Sequence, residues 1–289
     1  AFYSFLQVTG AVTTANNAAI FSGEPGSLTV VSREGDVAPG PAAAAAVFQT
    51  YAAESINNAG RVAFEASLRT GSGTPISSSN NTGLYTNSNG AVELVAREGD
   101  LAPCLAGTAG NFSSFRDIFI AENGDVYFRV FLKGGAVDSS SDGSFWRWQA
   151  TDQTLHPILR EGDPAPSTQG AVFLALTDFA VSNDGVHAVS ATLVIGTGDC
   201  VSLNNSGVWM DDGNDGLPIL KMRRGDTSDI GLGNATDPAV TLVRFDKTTN
   251  SAGGSGGHGK VVNDAGEIVV RMSFNQNSTG AFVLGTTVP

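Results

Sequence analysis

The residues of this sequence that could do chemistry are charged side chains that return at regular intervals. The segment VVSREGDVAPG (30–40) recurs as LVAREGDLAPC (94–104), as ILREGDPAPS (158–167) and, in degenerate form, as KMRRGDTSD (221–229). Arginine and acidic side chains around a glycine could form a ring of charges that binds Ca²⁺ or another ligand. Active sites are normally unique, so recurrence favours a structural role in which Arg and Asp pair across a turn and satisfy backbone groups.

This motif, with Arg, Gly and Asp as its predicted structural residues, is present four times. Its glycines are 64, 63 and 63 residues apart along the chain. The literal RGD tripeptide is therefore the fourth copy of a turn and does not indicate cell adhesion. The motif residues are Arg33, Gly35, Asp36, Arg97, Gly99, Asp100, Arg160, Gly162, Asp163, Arg224, Gly225 and Asp226.

A second candidate is the acidic segment DDGNDG (211–216), in which Asp211, Asp212 and Asp215 are weak Ca²⁺ ligands. Carboxylate oxygens are the ligands that Ca²⁺ prefers, but the segment lacks the Glu that closes an EF-hand loop. In the other copies of the repeat the same place is an ordinary hairpin turn. We therefore expect no metal or other cofactor, no catalytic residues and no enzymatic activity.

The two cysteines, Cys104 and Cys200, both lie in loop-like sequence. A disulfide between them would close a long loop and stabilise the fold in an oxidising compartment. The alternative is two free thiols. Neither cysteine belongs to a metal-binding or redox motif.

Three tryptophans, Trp146, Trp148 and Trp209, could stack on sugar rings if their faces were exposed. Their place in the third predicted strand of a repeat favours packing in the core. The tryptophans leave one alternative function open, that of a β-propeller that binds or hydrolyses carbohydrate.

The elements that position these residues are predicted to be short β-strands. A second recurring segment, for example INNAGRVAFEASL (56–68), places a turn glycine before alternating apolar and polar residues, the pattern of a half-buried strand. Asn or Asp beside Gly is typical of a tight hairpin turn. One repeat of about 63 residues thus predicts four antiparallel strands, in an all-β protein. The turn glycines are Gly60, Gly124, Gly185 and Gly266.

Four-stranded units in series predict a β-propeller-like array within one repeat domain, residues 1–289. Strand pieces number three, four, four, four and three, which corresponds to four to five blades with incomplete terminal units. Another repeat-β architecture is the alternative. The approximate units are 1–40, 41–104, 105–167, 168–229 and 230–289.

The repeats resemble those of bacterial surface proteins described as NxxGxxAF tandem-repeat proteins, which carry varied C-terminal anchors. The segment NNAGRVAF (57–64) matches that core in full, and the later copies match it in degenerate form. The resemblance implies export and display at the cell surface, and it implies no established activity. No segment of this sequence corresponds to an anchor.

The charge balance and the apolar runs of the sequence exclude two classes of partner, nucleic acids and the membrane interior. The formal net charge is −12, and only four of the 16 basic residues are Lys. This balance repels phosphate backbones and anionic lipid, so we expect no nucleic-acid partner. No apolar run approaches the roughly 20 residues of a membrane span, so we expect no membrane insertion.

The sequence as a whole predicts a non-enzymatic, exported structural or surface-display protein, extracellular or at the cell surface. Because the first and last units stop mid-repeat, their unpaired strands are expected to pair with neighbouring copies and to build a fibre or sheath. The expected partners are therefore the chain itself and, for the alternative function, surface glycans.

Overall fold

The computed structural model describes residues 1–40, 45–72, 76–103, 110–211, 217–227, 239–245, 261–275 and 279–285. These residues form 19 strands and the turns between them, and they contain no helix.

The strands form five sheets, and in each sheet strands that are consecutive in sequence are hydrogen-bonded neighbours. The first sheet contains β1 (Phe2–Phe5), β2 (Ala18–Ser22) and β3 (Thr29–Arg33). The second contains β4 (Phe48–Ile56), β5 (Val62–Leu68), β6 (Thr82–Thr86) and β7 (Glu93–Arg97). The third contains β8 (Leu101–Ala102), β9 (Gly110–Ile120), β10 (Val126–Lys133), β11 (Gly143–Gln149) and β12 (Thr154–Arg160). The fourth contains β13 (Phe173–Val181), β14 (His187–Leu193), β15 (Ser206–Asp211) and β16 (Pro218–Arg223). The fifth contains β17 (Val240–Phe245), β18 (Ile268–Phe274) and β19 (Thr279–Leu284).

The second strand of each complete repeat, which is β5, β10 or β14, is buried along most of its length. In β5 the side chains of Glu65 and Ser67 are half-buried and the remaining five are buried, as expected for a strand covered on both faces. The turn before it closes through Gly60, whose N–H donates to the carbonyl oxygen of Asn57 over 3.0 Å. Gly60 has φ +76°, a conformation that glycine adopts without strain.

Aromatic pairs fill the core at equivalent places in the three middle sheets. A Phe at the start of the first full-length strand meets an aromatic ring of the third strand edge to face, the arrangement that ring quadrupoles favour. The centroid distances are 4.9 Å for Phe48–Tyr85, 5.3 Å for Phe112–Trp146 and 5.0 Å for Phe173–Trp209.

The chain divides into two compact units. The first contains Ala1–Asp138 and Phe145–Pro157, and the second contains Ser139–Ser144 and the described residues from Ile158 onward. Each unit is built from the same kind of antiparallel sheet. The prediction of an all-β, propeller-like array is confirmed, with three strands in the first and last sheets.

Candidate functional site

The charged motif forms a corner after the last strand of a sheet and before the first full-length strand of the next. The four corners are Arg33–Asp36, Arg97–Asp100, Arg160–Asp163 and Arg223–Asp226, called here the first to fourth corner. The central glycine of each has φ between 85° and 90°, a backbone region that L side chains rarely adopt. The glycine is thus required by the turn itself.

Backbone hydrogen bonds join each corner to the following strand. The glycine N–H donates to a carbonyl oxygen of that strand over 2.7–2.9 Å, and the same strand residue donates its N–H to the carbonyl oxygen of the corner Asp over 2.9–3.0 Å. The residue after the Asp adds a further antiparallel bridge. The motif therefore connects consecutive sheets at four places. The strand residues that pair with the corners are Phe48, Phe112, Phe173 and Val240.

The corner arginine binds the loop that precedes the third repeat strand. Arg33 Nε donates to the carbonyl oxygen of Asn16 over 2.6 Å, and Arg160 Nε donates to that of Ser141 over 2.9 Å. At the second corner, Arg97 instead pairs through Nη2 with Asp100 over 3.0 Å. The arginine thus adds a contact within its own sheet to the backbone bonds between sheets.

In the fourth corner the register differs from the prediction. Arg223, and not Arg224, takes the place of Arg33, because its Nε donates to the Asn204 carbonyl oxygen over 2.6 Å. Its Nη1 also pairs with Asp199 over 2.7 Å, and this hydrogen bond lowers the pKa of Asp199. Arg224 occupies the position held by Glu34 in the first corner and contacts Asn205 Oδ1 over 3.3 Å.

The loop that receives the arginine is a recurring element that sequence reasoning missed. The Oδ1 atoms of Asn16, Asn80 and Asn204 each accept a hydrogen bond from the backbone N–H three residues earlier, over 2.7–2.8 Å. Such Asx contacts close a turn locally. The signal that could have revealed it is the Asn-Asn pair at 16–17, 80–81 and 204–205.

The turn glycines lie in a second set of contacts between sheets. Ser22 Oγ donates to the Gly60 carbonyl oxygen over 2.7 Å, and Ser88 Oγ donates to that of Gly124 over 2.6 Å. Neighbouring turns also bind each other, since Asn57 Nδ2 donates to the Ala121 carbonyl oxygen over 2.9 Å. The Asn58 N–H also donates to the Glu122 carboxylate over 3.0 Å, and the equivalent pair in the second unit is the Asn183 N–H with the Asp264 carboxylate over 2.9 Å. Gly185 and Gly266 close the two turns of that pair.

The corner glutamate is the part of the motif whose environment varies. In the third corner Glu161 is buried and accepts the N–H groups of Gly143 and Leu176, each over 2.9 Å. Burial raises the pKa of Glu161 above its ordinary value, against the lowering effect of those two hydrogen bonds. In the second corner Glu98 pairs with Lys133 Nζ over 2.8 Å.

The first corner is open. Within the described part of the chain, the Glu34 carboxylate accepts one hydrogen bond, a long one of 3.4 Å from the N–H of Ala18. A cleft of about 250 Å³ lies beside it, with side chains of both charge signs on its walls. The cleft is lined by Thr13, Ala15, Asn16, Arg33, Glu34, Gly35 and Asp36.

The remaining candidates lie away from the corners. Asp211 Oδ2 lies 3.5 Å from His187 Nδ1, inside the fourth sheet, whereas Asp212 and Asp215 lie outside the described residues. In the part of the chain that the structure describes, no three His, Cys, Asp or Glu side chains group as metal ligands do.

Cys200 is a buried thiol, and its disulfide with Cys104 stays a prediction. Its candidate partner Cys104 lies outside the described residues. Trp146, Trp148 and Trp209 are buried, and none presents a face for stacking on a sugar.

The sheets and corners together define an all-β repeat protein in which a recurring turn motif connects propeller-like sheets. The chain belongs to a family of unknown function, DUF7453, whose model matches residues 1–289. No curated protein matches the sequence. Among the described residues, no helix has the length and apolarity needed to cross a membrane.

Proposed function

We propose that this protein is a non-enzymatic structural module, exported and displayed at the cell surface. The observation that carries the proposal is the use of the recurring polar motif. At four corners its backbone groups bond to the next strand, and at three of them the arginine Nε bonds to the preceding loop. Groups that satisfy one another inside a fold stabilise it and are not available to a substrate.

Export and display are supported by composition and by the resemblance to NxxGxxAF tandem-repeat surface proteins. The composition that suggests export is a low share of charged residues, 15% of the chain, with only four lysines. The net charge of −12 keeps a β-rich protein soluble.

Assembly with further copies is supported by the exposure of two strands. No residue of β19 is buried, whereas the equivalent β6 and β15 have four and five buried residues. Likewise β1 has no buried residue, whereas the equivalent β5 has five. Strand edges of this kind are templates for pairing with another chain. A fibre or sheath built by such pairing is the specific form of the proposal.

The test is light scattering and electron microscopy of the purified chain at rising concentration. We expect concentration-dependent assemblies. A lysine at the edge, Val283→Lys, should reduce them because a charge opposes strand pairing. The matched control is Leu203→Lys, since Leu203 is 69% and Val283 61% exposed but Leu203 lies in a loop. Monomers at every concentration would overturn the assembly, and a hydrolytic activity in a glycoside screen would overturn the non-enzymatic role.

Carbohydrate binding or hydrolysis is the second candidate function. It is supported by the polar cleft at the first corner, whose Asn16, Arg33, Glu34 and Asp36 are side-chain types that bind sugar hydroxyls. The buried tryptophans give it no support. A glycan array decides it: binding that is lost in Glu34→Gln favours this candidate, and no binding to any glycan excludes recognition of sugars.

A further inference from the structure

The first and second sheets pack face against face. Ile20 of the first sheet belongs to one buried cluster with Phe64 and Tyr85 of the second. Each of these side chains is exposed by 1% or less. The face of a sheet that covers the next sheet, marked by Ile20 in the first, is called here the forward face. The face that receives it, marked by Phe64 and Tyr85 in the second, is called the rear face.

The fourth and fifth sheets repeat this arrangement. Ala188 and Met210 are cross-strand partners on the forward face of the fourth sheet. They share a buried cluster with Val270 and Met272 on the rear face of the fifth sheet. Packing of a forward face on a rear face is therefore a recurring contact of the fold, and it buries apolar side chains on both sides.

The forward face of the fifth sheet is exposed. Val269 and Val283 are cross-strand partners in β18 and β19, as Ala188 and Met210 are in β14 and β15. Ala188 and Met210 are both 0% exposed, whereas Val269 is 42% and Val283 is 61% exposed. Two large apolar side chains thus face solvent at positions whose counterparts in the fourth sheet are fully covered.

The rear face of the first sheet is exposed as well. Phe2 and Phe21 are cross-strand partners, as Phe64 and Tyr85 are in the second sheet, and their rings stack with centroids 5.4 Å apart. Phe2 is 42% exposed, whereas Phe64 is 0% exposed. Val30, the partner of Phe21 on β3, is 53% exposed. An exposed group of apolar side chains of this kind marks an interaction surface.

We propose that the forward face of the fifth sheet in one copy of the protein packs on the rear face of the first sheet in another copy. This inference rests on the assembly proposed above, and it names two sheet faces, and not strand edges, as the contact. The chain itself supplies the template, because forward-to-rear packing joins its first sheet to its second and its fourth to its fifth. Both faces are exposed in a chain that contains both of them, so the partner is a second copy. A contact between two unlike faces repeats from copy to copy and builds a ring or a fibre.

The experiment is sedimentation velocity of the full chain at rising concentration, with a lysine placed on one face or the other. Val269 lies in β18, the central strand of its sheet, and Val30 lies in β3, so neither change alters the strands β1 and β19. We expect Val269→Lys and Val30→Lys each to weaken self-association about tenfold or more, because an unpaired ammonium group is costly to bury. The matched control is Val201→Lys, which should leave self-association unchanged, since Val201 is 54% exposed but lies in a loop. Circular dichroism checks that all three variants fold.

A mixture of the two face variants tests the pairing of unlike faces. Val269→Lys keeps an intact rear face and Val30→Lys keeps an intact forward face, so an equimolar mixture should form a dimer and nothing larger. Neither variant alone should form that dimer. Undiminished self-association of Val269→Lys, or a dimer of either variant alone, would overturn this inference while the assembly itself stands. A wild-type chain that stays monomeric at every concentration would overturn the assembly as well.

Discussion

The first and third corners share a motif and differ in what becomes of its glutamate. In both, the glycine and the aspartate bond to the next strand with nearly the same lengths, and the arginine binds the preceding loop. Glu161 is buried with two backbone donors, whereas Glu34 stands beside an open cleft. The connection between sheets is therefore constant, and the acidic residue is the variable position.

The glycine at position 143 explains why Glu161 is buried whereas Glu34 is not. Gly143 holds the place that Ala18 holds in the first sheet, since each accepts the N–H of its corner glutamate. A Cβ on Gly143 would lie 2.5 Å from the Glu161 carboxyl carbon, so the carboxylate fills the volume of an absent side chain. At Ala18 that volume is occupied by the methyl group, and Glu34 remains outside.

The largest expected effect comes from removing this difference with Gly143→Ala. The new methyl group displaces Glu161 from both backbone donors and leaves buried N–H groups without partners. We expect a loss of about 2–4 kcal/mol in the free energy of unfolding, measured by urea denaturation. Ser206→Ala, at the equivalent place in the fourth sheet, is the control and should cost less than about 1 kcal/mol. Equal losses of unfolding free energy in the two variants would contradict the idea that the Glu161 carboxylate fills the space left by the missing side chain of Gly143.

The next effect tests the arginine of the corner. Arg223→Ala removes a buried guanidinium group that binds Asn204 and Asp199. It should cost about 2–3 kcal/mol in the free energy of unfolding, because both acceptors lose a charged donor. Arg224→Ala, one residue away, should stay within about 0.5 kcal/mol. A larger loss in Arg224→Ala than in Arg223→Ala would show that Arg224 is the corner arginine, as the sequence predicts.

A smaller effect concerns pH. Because the pKa of Glu161 is raised, the native protein holds a proton at pH values just above 4.5 where the unfolded chain has lost it. This group therefore makes the free energy of unfolding fall as pH rises through that interval. Glu161→Gln should remove this part of the slope in denaturation curves measured at several pH values. Identical pH profiles for the two proteins would mean that the pKa of Glu161 is not raised in the folded protein.

The smallest effect is expected at the second corner. The Lys133–Glu98 pair is partly exposed, so Lys133→Ala should cost about 0.5 kcal/mol in the free energy of unfolding, and less in high salt. Thermal denaturation at two salt concentrations measures it. A large loss that is independent of salt would contradict the description of this ion pair as partly exposed.

The sequence predicts most of the scaffold because its signals are periodic. Turn glycines and alternating apolar residues predict the strands of each sheet, and the recurring motif predicts a structural corner. The arginine register in KMRRGD was wrong because two adjacent arginines make the alignment ambiguous, and only the bond to Asn204 decides between them. The burial of the Glu161 side chain was not predicted because it depends on Gly143. This glycine is 18 residues earlier in sequence and is adjacent to Glu161 only in the folded sheet. The cleft beside Glu34 was missed for the same reason.

Amide hydrogen exchange at the glycines of the four corners tests the central claim most directly. If the motif connects consecutive sheets, the N–H groups of Gly35, Gly99, Gly162 and Gly225 are protected by bonds to the next strand, and they should exchange only when the sheets separate. We expect slow exchange at all four, whatever the environment of the neighbouring glutamate. Exchange at the rate of an unprotected peptide at any of them would show that this corner is an open loop, and would contradict the account.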